Sequence, residues 1–131
     1  MDYDTVMKAK SMLGSGGVVI MDEDTDMVKA MLRIMKFYKH ESCGWCIPCR
    51  EGTTWLTKML TRMDEGMGTS KDIDLINEVA KNMLGRTFCP LGDAAAMPTI
   101  SFVEKFRDEF EAKLTVVPGS FEDTSRLVQI A

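Results

Sequence analysis

Between residues 24 and 110 apolar side chains recur every three or four positions, with polar residues between them, which is the period of amphipathic helices. Val28, Met31, Met35 and Tyr38 fall on one face, widened by Leu32 and Ile34. They predict a helix capped by Asp24 or Thr25 and running to about Lys39. Pro48 suits the first turn of a second helix, whose stripe is Trp55, Leu56, Met59, Leu60 and Met63 and which ends at Gly66-Met-Gly68. Thr69 or Ser70 opens a third, with Ile73, Ile76, Val79, Ala80 and Met83 inward and Gly85 as its stop. Asp93 caps a fourth that turns Ile100, Val103, Phe106 and Phe110 inward, kinked or restarted at Pro98. Four amphipathic helices with short links imply a mainly α protein, a small four-helix bundle over residues 23–114.

The flanks follow another pattern. Asp4 to Leu13 makes a short helix, Gly14-Ser-Gly-Gly17 breaks it in a tight turn, and Val18-Val-Ile-Met21 reads as a brief buried strand. One strand cannot satisfy its own backbone, so its hydrogen bonds are expected to go to strands outside this sequence or to a partner. The glycine cluster lacks the Lys-Ser/Thr of a phosphate loop and runs from helix to strand, the wrong direction for a nucleotide fingerprint. Residues 115–131, with Pro118-Gly119, read as an extended tail.

Composition narrows the function classes. The 131 residues suffice for one compact domain. A formal charge of −4 argues against nucleic acid, whose phosphates call for clustered Lys and Arg. No apolar run approaches the roughly 20 residues that span a bilayer, so direct membrane insertion is not expected. No charged segment followed by an apolar core marks a secretory signal. The 12 methionines sit mostly at helical spacing, as flexible filler of a helical core.

The chemistry concentrates in the four cysteines. Cys43, Cys46 and Cys49 form a C-x2-C-x2-C run, and Cys89 stands in Phe88-Cys-Pro-Leu-Gly92. This spacing suits a cubane iron–sulfur cluster, whose separate iron atoms offer corners to three closely spaced thiolates. A structural zinc site remains the rival, although zinc usually takes two ligand pairs and here the fourth cysteine has no companion. A disulfide framework fits poorly without signs of secretion. Around the thiols, Gly44 supplies backbone freedom, Trp45 and Ile47 are placed to exclude water, and Arg50 is either a charge partner of the cluster or a solvated surface residue. His40, the only histidine, is read as favouring the C-terminus of its helix rather than as a metal ligand.

The run His40-Glu-Ser-Cys-Gly-Trp-Cys-Ile-Pro-Cys-Arg-Glu-Gly52 closely resembles the HESCGxCxPCREG signature of the NADH- and flavin-binding subunit of respiratory complex I. The likeness continues, in order, through Met1-Asp-Tyr-Asp4, Ser11 to Asp22, Gly85 to Ala95 and Phe106-Arg-Asp-Glu-Phe110, covering roughly residues 1–114. It implies one [4Fe–4S] cluster held by Cys43, Cys46, Cys49 and Cys89, reduced one electron at a time by flavin mononucleotide (FMN) and emptied into clusters of a neighbouring subunit. It further implies that residues 1–22 end a ubiquitin-like domain of the SLBB type. The family's FMN- and NADH-binding region lies upstream of the matched part. The resemblance therefore implies that this chain is not catalytic alone and works beside that region and other peripheral-arm subunits. The location implied is the cytoplasmic side of the inner membrane, or the matrix in a mitochondrion. The signature is shared with subunits of NAD-linked hydrogenases and formate dehydrogenases, and a zinc-stabilised interaction domain without redox role is the third alternative.

Overall fold

The computed structural model describes residues 2–9 and 11–114, and the expected tail at 115–131 lies outside them. Among the described residues there are six helices: α1 (Tyr3–Lys8), α2 (Met27–Glu41), α3 (Ile47–Asp64), α4 (Ser70–Met83), α5 (Leu91–Lys105) and α6 (Arg107–Ala112). α2 packs on α3, α3 on α4, α4 on α5, and α5 back on α2, which closes the ring of a four-helix bundle. The short α6 folds against α2, α4 and α5.

The helices start where local chemistry allows. The Asp26 side chain accepts from the Lys29 N–H at 3.0 Å and caps α2, slightly later than the Asp24 or Thr25 expected. Thr25 instead donates its hydroxyl to Asp22 in the preceding turn. Thr69 caps α4 within a reciprocal capping box with Asp72. α5 begins at Leu91, before the expected Asp93, because Asp93 is engaged elsewhere: its carboxylate accepts from the Gly85 N–H at 2.7 Å. That bond ties the end of α4 to the first turn of α5. The helix passes through Pro98 unbroken, and Thr99 donates to the Ala95 carbonyl in the same turn. The break falls at Phe106, so the fourth expected helix is two, α5 and α6.

Val28, Met31, Leu32 and Met35 of α2 meet Leu56, Met59, Leu60 and Met63 of α3 in the core. Ile73, Ile76, Ala80 and Met83 of α4, Ala95, Ala96 and Val103 of α5, and Phe110 of α6 complete it. Methionine fills a helical core, as its spacing indicates. One expectation is corrected. Trp55 is 53% exposed and lies outside the core. The buried line of α3 runs through residues 49, 52–53, 56–57, 59–60 and 63, and position 55 is about 100° of rotation from position 56, at the edge of that line. No strand exists among the described residues, and Ile20 in the Val18–Met21 run is 92% exposed, so the neighbours expected outside this sequence are not supplied by the bundle. A strand needs a neighbour to take its ladder bonds, and an all-helical bundle offers none. The tight turn at the glycine cluster does form, closed by a bond from the Gly16 N–H to the Leu13 carbonyl. No helix among the described residues is long and apolar enough to cross a membrane.

Candidate metal centre

α2 ends at Glu41 with Ser42 as its C-cap, and α3 begins at Ile47, so Cys43 and Cys46 occupy the link and Cys49 the first turn of α3. Gly44 has φ +74°, the left-handed region that glycine enters without strain and that lets the chain reverse between the two helices. Its two peptide groups are both engaged. The Gly44 N–H donates to Ser42 Oγ at 3.3 Å, and its carbonyl accepts from Arg50 Nη1 at 3.2 Å. Arg50, half exposed, also donates from Nε to Glu51 at 2.9 Å. It clasps the cysteine turn rather than standing free in solvent.

The thiols differ in setting. Cys49 is buried, Cys46 half-buried, and Cys43 and Cys89 exposed; none is in a disulfide. Ser42 Oγ lies 3.2 Å from Cys49 Sγ. Thr53 donates its buried hydroxyl to the Cys49 carbonyl at 2.8 Å, satisfying itself within the helix. Cys89 sits in the loop after α4, whose shape is held by Thr87: its hydroxyl donates to the Cys89 carbonyl at 2.9 Å.

The two cysteine segments share one end of the bundle. Gly52 of α3 lies so close to Met83, at the end of α4, that an added Cβ would stand 2.4 Å from its sulfur. A shallow depression of about 240 Å³ joins Ile47, Pro48 and Gly52 of α3 to Met83 and to Arg86 of the Cys89 loop. A depression of about 780 Å³ lies on the outer face of α2 against Pro98, and no cysteine lines it. Trp45 and Ile47 are 78% and 64% exposed, so neither shields the thiols as its apolar nature led one to expect. His40, in the last turn of α2, is exposed, and its Nδ1 lies 2.9 Å from Glu41 Oε1.

Four free thiols are a soft donor set, suited to iron–sulfur clusters and to zinc. Cys46 is itself the N-cap of α3, and Cys89 directly precedes Pro90, the N-cap of α5. Neither helix start has a side-chain cap. Both therefore present partial positive charge and unpartnered N–H groups beside a cysteine, where an anionic sulfur centre is stabilised. The residues fit such a group. The thiols themselves have not converged: among the described residues no three His, Cys, Asp or Glu side chains are gathered closely enough to hold a metal ion. Ser42, Thr87 and Gly52 were not singled out from the sequence, and adjacency to the cysteines was the only signal they carried.

The described residues form a small helical bundle that carries four free thiols on the turns and the helix start at one end. The chain belongs to the family described as the NADH-ubiquinone oxidoreductase-F iron-sulfur binding region, whose profile, named for a 4Fe–4S centre, matches residues 29–113. It is 46% identical over 114 residues to the F component of NADH-quinone oxidoreductase from Rickettsia bellii, covering 87% of this chain and 27% of that protein. With the Mycobacterium bovis counterpart it shares 49% over 112 residues, 86% of this chain and 25% of the relative. The chain thus spans about a quarter of the length of these relatives. Among solved structures it resembles an NAD+-reducing [NiFe]-hydrogenase in the H2-reduced state, with a TM-score of 0.70 and 30% identity. That likeness covers 75% of this chain and 17% of the hydrogenase chain.

Proposed function

We propose that this chain is the electron-transfer module of an NADH:quinone oxidoreductase, and that Cys43, Cys46, Cys49 and Cys89 hold its [4Fe–4S] cluster. One observation carries the reading: the family match at 29–113 spans all four cysteines, and the chain has no others. The bound cluster supplies one-electron storage. The chain's own residues do the rest. Cys49 inside the bundle and Cys46 at the uncapped start of α3 would hold the cluster together with the exposed Cys43 and Cys89 on their loops. The unpartnered N–H groups at the starts of α3 and α5 stabilise the negative sulfurs.

In this reading FMN and NAD bind to a region outside this sequence, and that region feeds the cluster. Onward partners are the neighbouring iron–sulfur subunits of the peripheral arm, on the cytoplasmic side of the inner membrane or in the mitochondrial matrix. Residues 1–22 end a ubiquitin-like domain, in which the exposed apolar run Val18–Ile20 gains the strand neighbours that the bundle lacks; residues 23–114 form the cluster-binding unit. The hydrogenase likeness favours one second reading, the equivalent portion of an NAD-linked hydrogenase, and the subunits that co-purify with the chain separate the two.

Anaerobic reconstitution of the full chain tests the proposal. It should yield a brown protein with about four iron and four sulfide per chain and a paramagnetic signal after dithionite reduction. Cys89→Ser should lose or degrade that centre. A colourless protein with one zinc would overturn the reading, and a full stable cubane in Cys89→Ser would overturn the ligand assignment.

A further inference from the structure

Resting on that reading, we propose that Ser42 is a positioning residue that sets the cluster's reduction potential through a hydrogen bond to the Cys49 sulfur. Ser42 is the C-cap of α2, and its N–H donates to the Tyr38 carbonyl at 3.0 Å, which fixes its backbone. Its Oγ lies 3.2 Å from Cys49 Sγ and accepts from the Gly44 N–H at 3.3 Å. With Gly44 as its donor, the hydroxyl keeps its own proton free to give. A ligating cysteine is a thiolate without a proton, so the direction is settled: serine donates and sulfur accepts.

The relay is held from both sides. Gly44 takes its φ of +74° between the two contacts, and Arg50 grips the Gly44 carbonyl. Cys49 is the one buried thiol of the four, so a single donor there is diluted least by water. One-electron reduction adds negative charge to the cluster sulfurs, and a donor aimed at sulfur stabilises that state more than the oxidised one. Ser42 therefore raises the potential and makes the cluster a better electron acceptor. A merely structural C-cap would act through the Ser42 backbone, which an alanine retains.

The test is a potentiometric titration of the reconstituted full chain, followed by electron paramagnetic resonance, on wild type, Ser42→Ala and Ser42→Thr. Ser42→Ala should bind the same iron and sulfide, yet its reduced-to-oxidised ratio at a fixed potential should fall about tenfold, a negative shift of about 59 mV for one electron. Ser42→Thr keeps the hydroxyl and should restore the wild-type value. A fully loaded Ser42→Ala with an unchanged midpoint would overturn the inference while leaving the cluster reading intact. A wild type that binds no iron and sulfide overturns both. If Ser42→Ala does not load, Ser42→Gly, which also lacks the hydroxyl, takes its place in the titration: a comparable negative shift supports the bond, and a midpoint equal to that of wild type overturns it.

Discussion

Gly92 shows how a single residue governs the Cys89 loop. It lies in the first turn of α5, and a Cβ added there would stand 2.5 Å from Thr87 Cγ2 and 2.7 Å from its Oγ1. Thr87 is β-branched and its hydroxyl holds the Cys89 carbonyl, so it has little freedom to swing away. Gly92→Ala gains about 1 kcal/mol of helix propensity, but overpacking costs about 1–3 kcal/mol. The clash should prevail, with a net loss of about 1 kcal/mol in urea denaturation and faster loss of iron from the loaded protein. A variant as stable as wild type, with equal iron retention, would contradict this account. The cysteines and the need for glycine at position 44 were legible in the sequence, because both are set by spacing within a few residues. The crowding of Gly92 against Thr87 was not, because it depends on how the loop folds back onto the helix.

At the scale of elements, α4 is the clearest case of a helix whose start is written locally. Thr69 Oγ1 accepts from the Asp72 N–H, while the buried Asp72 carboxylate accepts from the Thr69 N–H at 2.8 Å and from Arg62 Nη2 at 3.2 Å. Thr69→Ala should cost about 1 kcal/mol, the usual loss of an N-cap. Asp72→Ala should cost more, about 2–3 kcal/mol, because it also strands the Thr69 N–H and the Arg62 guanidinium. The double variant should cost less than the sum, since both changes dismantle one network. Chemical denaturation of the three variants checks the order, and strict additivity would count against it. Thr69 was one of the two caps expected from sequence. Its neighbours were harder: Asp93 looked like the cap of α5 but serves Gly85, and the helix break falls at Phe106 rather than Pro98. Both outcomes depend on contacts between elements, which short-range propensity does not contain.

Across the whole molecule, α6 clamps the start of α2. Glu109 Oε2 accepts from the Met27 N–H at 3.3 Å, and Lys113 Nζ donates to the Asp26 carboxylate, 87 positions away in the chain. Burial is the largest single influence on Asp26 and pushes its carboxyl up. The Lys113 hydrogen bond, the Lys29 N–H and the charges of both lysines together outweigh it, so the net pKa is held below its usual 3.8. A depressed folded-state pKa contributes stability that is fully present above 3.8 and is lost as pH falls through the lower folded value. Asp26→Asn keeps a competent cap and loses the ion pair. Its deficit relative to wild type should therefore be present near neutral pH and shrink in acid, as read by denaturation at a series of pH values. A deficit that stays constant down to about pH 2 would remove Asp26 as the acid-sensitive group.

The order of the main helices and most of their buried faces follow from residues three or four apart, where side-chain direction is dictated by the local backbone. Contacts across the fold decided the rest. Trp55 stayed half exposed because it stands at the edge of the buried line of α3, and Val18–Ile20 stayed exposed because no strand stood beside them. The packing of Gly52 on Met83 brought the Cys43–Cys49 turn to the same end as the Cys89 loop. The Gly44 turn set Ser42 Oγ beside the Cys49 sulfur. Such placements join residues that no local rule couples, so they exist only once the helices have packed.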